Sequence, residues 1–147
     1  MITLQKLLCE MVFLTRRERF NAAHRLYNDK WSKEKNEAFF GKCANDFFHG
    51  HNFELFVTVK GKPNVETGFF INAHHLSQLI KNEITDKLDH KNLNLQVDFL
   101  QGIIPSCENL VVAIWNKLQP LLKNCELHSI KLIETENIYV EYFGEIE

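Results

Sequence analysis

His49-Gly50-His51-Asn52 runs directly into Phe53-Glu54-Leu55-Phe56-Val57-Thr58-Val59. The apolar alternation of the second stretch reads as a half-buried strand. Side chains at i and i+2 of a strand share a face. A strand beginning near His49 therefore projects the two imidazoles together, with only Gly50 between them. Two imidazoles on a rigid backbone supply two of the three protein ligands that a catalytic zinc site usually takes. His-x-His alone is a common pattern. It gains weight from Cys43, a few residues upstream, and from His24, which follows the small residues Ala22 and Ala23 that let neighbours approach.

At 147 residues, 45% hydrophobic and 24% charged, the chain fits one soluble domain, 1–147, with a sizeable core. A net charge of -2 and a pI near 6.4 give no general electrostatic case for nucleic acid or an anionic membrane. No apolar run reaches transmembrane length. The start, Met1-Ile2-Thr3-Leu4-Gln5-Lys6-Leu7-Leu8-Cys9, lacks the features of a signal peptide. Residues 1–10 read as a possible extension ahead of Met11. Cys9, Cys43, Cys107 and Cys125 form no Cys-x-x-Cys pair, and reduced thiols in a cytoplasmic protein are expected.

The chain order predicts an α+β fold. A first strand opens at Val12 and runs to Phe20. Ser32 caps a short helix, Lys33 to Phe39, that stops at Gly41. The strand from Asn52 to Lys60 turns through Gly61-Lys62-Pro63-Asn64 into a second strand, Glu66 to Ile71, expected to pair back on it. Asn72 caps a helix with Leu76, Leu79, Ile80, Ile84 and Leu88 on one stripe, and His74 and His75 solvated in its first turn. That helix ends near Leu88, leaving Asp89-His90 at a bend, where a carboxylate can fix an imidazole's tautomer. Pro105-Ser106 opens another helix with Leu110, Val111, Ile114, Leu118, Leu121 and Leu122 as core. Glu108 falls in its first turn, where the dipole favours an acid. Strands Glu126 to Thr135 and Ile138 to Phe143 close the chain. The sum is an antiparallel sheet of about four long strands, with two main helices on one face. Its open edges, and apolar residues such as Phe56 and Ile130 expected on the other face, predict an oligomer.

Several blocks in order resemble one family. They are Phe20-Asn21-Ala22-Ala23-His24-Arg25-Leu26, Phe40-Gly41-Lys42-Cys43-Ala44-Asn45, His49-Gly50-His51-Asn52, Thr67-Gly68, Leu88-Asp89-His90-Lys91-Asn92-Leu93, Pro105-Ser106-Cys107-Glu108-Asn109 and Glu134-Thr135-Glu136-Asn137. Together they resemble the 6-pyruvoyl-tetrahydropterin synthase family from Val12 onward. The resemblance implies a tunnelling fold, with sheets of a trimer joined into a barrel and two trimers stacked as a hexamer. It implies zinc ligands His24, His49 and His51. It also implies a catalytic Cys43, Asp89 and His90, the last two from a neighbouring subunit, with Glu134 as pterin anchor and Glu108 in the pterin pocket. The implied substrate is 7,8-dihydroneopterin triphosphate, with Lys42, Arg25 and Lys91 as triphosphate candidates on charge and position. The departures are Ser106 for the usual threonine, Phe69 for a common methionine and Ser77 for a frequent lysine.

Within that resemblance two activities are open. One forms 6-pyruvoyl-tetrahydropterin. The other forms 6-carboxy-tetrahydropterin, of queuosine biosynthesis, and releases acetaldehyde. The longer gap from Cys43 to His49 and the ending Glu134-Thr135-Glu136-Asn137-Ile138 favour the first. A non-catalytic zinc-stabilised assembly module would keep the histidines without needing Cys43, Asp89, His90 and Glu134 together.

Overall fold

The computed structural model describes residues 10–145. Most of the expected N-terminal extension, with Cys9, lies outside the described residues. The sheet has five strands in the order β3-β1-β2-β4-β5. β1 (Val12–His24) and β2 (His49–Gly61) pair antiparallel along their whole length. β4 (Glu126–Thr135) lies on the other side of β2 and carries β5 (Ile138–Tyr142). The fifth strand, β3 (Lys91–Asn92), is two residues long and parallel to Ala22–Ala23 of β1. The first strand thus continues past Phe20 to His24, because β2 offers a paired residue at each step.

Three helices pack on one face or flank the sheet. α1 (Lys33–Phe40) has Ser32 as its N-cap and Gly41, at φ +57°, as its C-cap. A 3₁₀ turn, Gly41–Ala44, follows it and carries Cys43. α2 (Ala73–Ile80) is capped by Asn72 and runs on through a π segment, Lys81–Thr85, to a last turn, Asp86–Leu88. Leu76, Ile80, Ile84 and Leu88 are spaced by four and all fully buried. A row spaced by four drifts around an α-helix of 3.6 residues per turn, and the wider π turn keeps it on the sheet. α3 (Cys107–Leu118) starts at Ser106, whose Oγ accepts the Asn109 N–H at 3.2 Å. The core lies between α2 with its continuation, α3, and Phe20, Phe53, Leu55, Val57, Ile130 and Leu132 of the sheet.

Three expectations are corrected. Residues 66–71 form no strand. Asn64 accepts the Glu66 and Thr67 N–H groups on its side chain, its carbonyl accepts the Gly68 N–H, and Gly68 sits at φ +78°, so the chain folds back on itself. Both edges of β2 are also occupied, by β1 and β4. Ile130 belongs to the helix-covered face, opposite Val57 and fully buried. The second face holds Phe56 beneath Arg17, and polar pairs such as Arg17–Glu54 and Thr15–Thr58, so it is mixed rather than apolar. Leu121 is exposed beyond the end of α3, where Pro120 occupies a 3₁₀ turn.

Candidate metal centre and active site

The β1–β2 register sets His24 opposite His49, and Ala22 opposite His51. The small Ala22 leaves room beside His51, and all three imidazoles fall on the helix-covered face. Phe20 and Phe53, stacked at 4.9 Å, continue that face beneath them. One ligand atom from each of His24, His49 and His51 lies within 4.8 Å of the others, so this set could hold a metal ion.

His24 is 2% exposed. Its Nδ1 lies 2.8 Å from the Pro105 carbonyl just ahead of α3. A carbonyl only accepts, so Nδ1 carries the proton and Nε2 presents a lone pair. That Nε2, and Nδ1 of His49, are buried with no hydrogen-bond partner. Orphaned nitrogens of this kind are costly in a folded protein unless something binds them. Burial pushes the pKa of all three imidazoles below the ordinary histidine value. For His49 and His51 a neighbouring imidazole adds to this. Neutral nitrogens converging in a shielded place fit a borderline-soft divalent ion such as zinc.

Glu134 closes one side of the cluster. Its Oε1 is 3.4 Å from His24 Nε2 and 3.8 Å from His51 Nε2, and the side chain is 15% exposed. Burial pushes its carboxyl above the usual range, His24 opposes this, and the charge of Glu108 adds to it. Glu108 itself is exposed in the first turn of α3. The carboxylate at the end of β4 is therefore no solvated surface group.

Cys43 is half-buried, and its carbonyl accepts the Leu26 N–H at 2.8 Å, two residues past His24. Asp89 and His90 follow α2 at the edge of β1. Asp89 Oδ1 accepts the Asn21 N–H at 2.7 Å, and its Oδ2 lies 2.8 Å from His90 Nδ1. The His90 N–H donates to the Asn21 carbonyl at 2.6 Å, and His90 sits at φ +57°. The imidazole is 82% exposed. Among the described residues, Cys43 makes no side-chain hydrogen bond to Asp89 or His90 within the chain. Lys42 and Lys91 are exposed, whereas the Arg25 guanidinium is occupied by Asp46.

Sequence reasoning missed three supports here: the Pro105 carbonyl on His24, the Asn21 main chain on Asp89 and His90, and the contacts of Arg25. The first two are backbone groups, which residue types do not announce. A proline ahead of an N-cap was the available hint for the first.

The family model described as 6-pyruvoyl tetrahydropterin synthase matches residues 13–145. A protein of Dictyostelium discoideum named 6-pyruvoyl tetrahydrobiopterin synthase is 48% identical, covering 91% of this chain and 97% of that one. A protein of Rickettsia typhi named 6-carboxy-5,6,7,8-tetrahydropterin synthase is 28% identical, over 89% of this chain and 99% of its own length. The solved structure of Caenorhabditis elegans 6-pyruvoyl tetrahydropterin synthase superposes with a TM-score of 0.87 at 30% identity, covering 92% of this chain and 97% of that one. With the tunnelling-fold sheet and the three converging histidines already described, this coverage means that the chain belongs to the 6-pyruvoyl tetrahydropterin synthase family.

Proposed function

We propose that this chain is a zinc-dependent lyase that converts 7,8-dihydroneopterin triphosphate to 6-pyruvoyl-tetrahydropterin with loss of triphosphate. The observation that carries the reading is the convergence of His24, His49 and His51 beside the carboxylate of Glu134. His24, His49 and His51 would hold the ion. Zinc, when bound, supplies a Lewis acid that acidifies protons near the oxygens it holds and accommodates negative charge.

The rest is work for side chains. Glu134 accepts two hydrogen bonds from the N–H groups on the guanidine-like edge of the pterin, with Glu108 in the same pocket. Cys43 takes a carbon-bound proton as thiolate. Asp89 holds the proton of His90 on Nδ1, which leaves Nε2 to accept and return protons. Asp89 and His90 come from a neighbouring subunit, within a hexamer built as a dimer of trimers. The edge strand of the described sheet, β5, with Ile138, Tyr139 and Phe143 exposed in or just after it, supports such association. The protein acts as one domain, 1–147, in the cytoplasm, without nucleic acid or membrane partners. No helix among the described residues is long and apolar enough to cross a membrane.

The Rickettsia typhi relative favours a second reading, formation of 6-carboxy-tetrahydropterin with release of acetaldehyde. The same residues would serve it. The longer segment between Cys43 and His49, and the sequence from Glu134 to Ile138, favour the first, as does the higher identity to the Dictyostelium discoideum protein. Incubation with 7,8-dihydroneopterin triphosphate and mass analysis of the pterin decides between them. The pyruvoyl product is expected. The carboxy product with acetaldehyde would transfer the chain to the second reading, and unchanged substrate would contradict both.

A further inference from the structure

Arg25 follows His24 in the chain, yet its contacts run to the segment between Cys43 and His49. Its main chain is held on both sides by one residue. The Arg25 N–H donates to Asn94 Oδ1 at 2.9 Å, and Asn94 Nδ2 donates to the Arg25 carbonyl at 3.0 Å. The side chain, 23% exposed, lies over Tyr27 at 4.2 Å and over Phe48 at 5.2 Å. Its Nη1 donates to Asp46 Oδ1 at 3.3 Å.

Asp46 and Phe48 both belong to the connection from Cys43 to His49. That connection is under constraint at its far end. Phe48 sits at φ +62°, a region that a bulky side chain occupies only where its surroundings hold it. Asn45 fastens the turn from within, accepting the Phe47 N–H on its side chain and the Phe48 N–H on its carbonyl. Arg25 covers the Phe48 ring from outside. At the near end, the Cys43 carbonyl takes the Leu26 N–H. Asp46 has a second partner in Lys33, at 2.6 Å, so it stays paired without the arginine. What the guanidinium adds is its place over two rings, Tyr27 at 4.2 Å and Phe48 at 5.2 Å, and of these Phe48 belongs to the connection. A lysine ammonium cannot reproduce it.

We propose that Arg25 is a positioning residue that laces the connection between Cys43 and His49 onto the end of β1, and so fixes where the Cys43 thiol stands relative to the three histidines. The proposal deepens the reading of Cys43 as the base and rests on it for its effect on turnover. A thiol displaced by an ångström loses much of its rate even when substrate binds as before.

The test uses the full-length, zinc-loaded protein, with Arg25→Lys and Phe48→Leu. Alkylation of Cys43 by iodoacetamide is followed by peptide mass, with Cys125 as internal reference. Both variants are expected to alkylate Cys43 faster than wild type and Cys125 at an unchanged rate. Zinc content and assembly should be retained, and kcat should fall on the order of tenfold to 10² with little change in KM. Phe48→Leu leaves the Arg25–Asp46 pair in place and carries the test if Arg25→Lys fails to fold. Alkylation is read without substrate. Faster alkylation with wild-type kcat would uphold the lacing and remove Cys43 from the chemistry. Unchanged Cys43 alkylation in the folded variants overturns the proposal. So does a rise in KM alone in Arg25→Lys that is absent from Phe48→Leu, which would make the guanidinium of Arg25 a substrate contact.

Discussion

β1 buries two polar clusters on its helix-covered face, one at Glu18 and one at His24. At Glu18 every partner is supplied from within the chain. Oε1 accepts from Ser77 Oγ at 2.6 Å and Arg16 Nε at 2.7 Å, and Lys81 lies 3.9 Å from Oε2. Burial pushes this carboxyl up, but the hydrogen bonds from Ser77 and Arg16, with the charges of Arg16 and Lys81, bring it below the ordinary value. At His24 the reverse holds. Nitrogens of His24 and His49 are buried without hydrogen-bond partners, burial favours their neutral forms, and the carboxyl of Glu134 beside them is pushed towards its neutral form as well. A self-satisfied cluster completes the fold. A cluster left unsatisfied is arranged for something that arrives later.

That contrast can be broken in several ways. The largest effect is expected at the proposed base. Cys43→Ala should keep zinc and assembly yet lose turnover by roughly 10²–10⁴, the usual cost of deleting a general base. Asp89→Asn should cost less, since it disturbs only the orientation of His90. Steady-state rates with zinc content checked in parallel decide this, and wild-type turnover by metallated Cys43→Ala would put the base elsewhere.

Glu134→Gln comes next. An amide cannot accept both hydrogen bonds from the pterin's N–H edge, and losing one to a charged acceptor costs about 1.5–3 kcal/mol. The loss should appear in KM and in pterin affinity by calorimetry, with zinc retained. Lost zinc in this variant would instead make Glu134 a ligand.

Glu18→Gln should show the smallest effect and the opposite pattern: unchanged zinc and turnover, but lower stability by about 1–3 kcal/mol at neutral pH. Because the folded pKa of Glu18 is depressed, its contribution is present above the ordinary value of 4.5 and is lost as pH falls through the lower folded value. Urea titrations of wild type and variant should therefore converge on acidification. A gap that widens towards acid would reverse the sign of this account.

Much of this was legible in the sequence. Ser32, Asn72 and Ser106 cap the helices as their types suggest, and His49 and His51 share a face because strands alternate. Glu66 to Ile71 misled because apolar composition does not reveal that both edges of β2 are already taken. Ile130 was assigned to the wrong face because β4 shifts register near Thr58 and Val59 of β2, which no residue type signals. Glu134 looks ordinary in sequence. Its character comes from its place near the end of β4, at the register shift between Ile133 and Thr135, which sets it 3.4 Å from His24. The Asp89–His90 dyad was visible as a pair, but its clamp is the main chain of Asn21.

The most direct test of the contrast is metal analysis after zinc loading and exhaustive dialysis, on wild type, His49→Ala and Glu18→Gln. The account predicts one zinc per chain in wild type and Glu18→Gln, and near-total loss in His49→Ala. Full occupancy in His49→Ala, or no zinc in wild type, would contradict it.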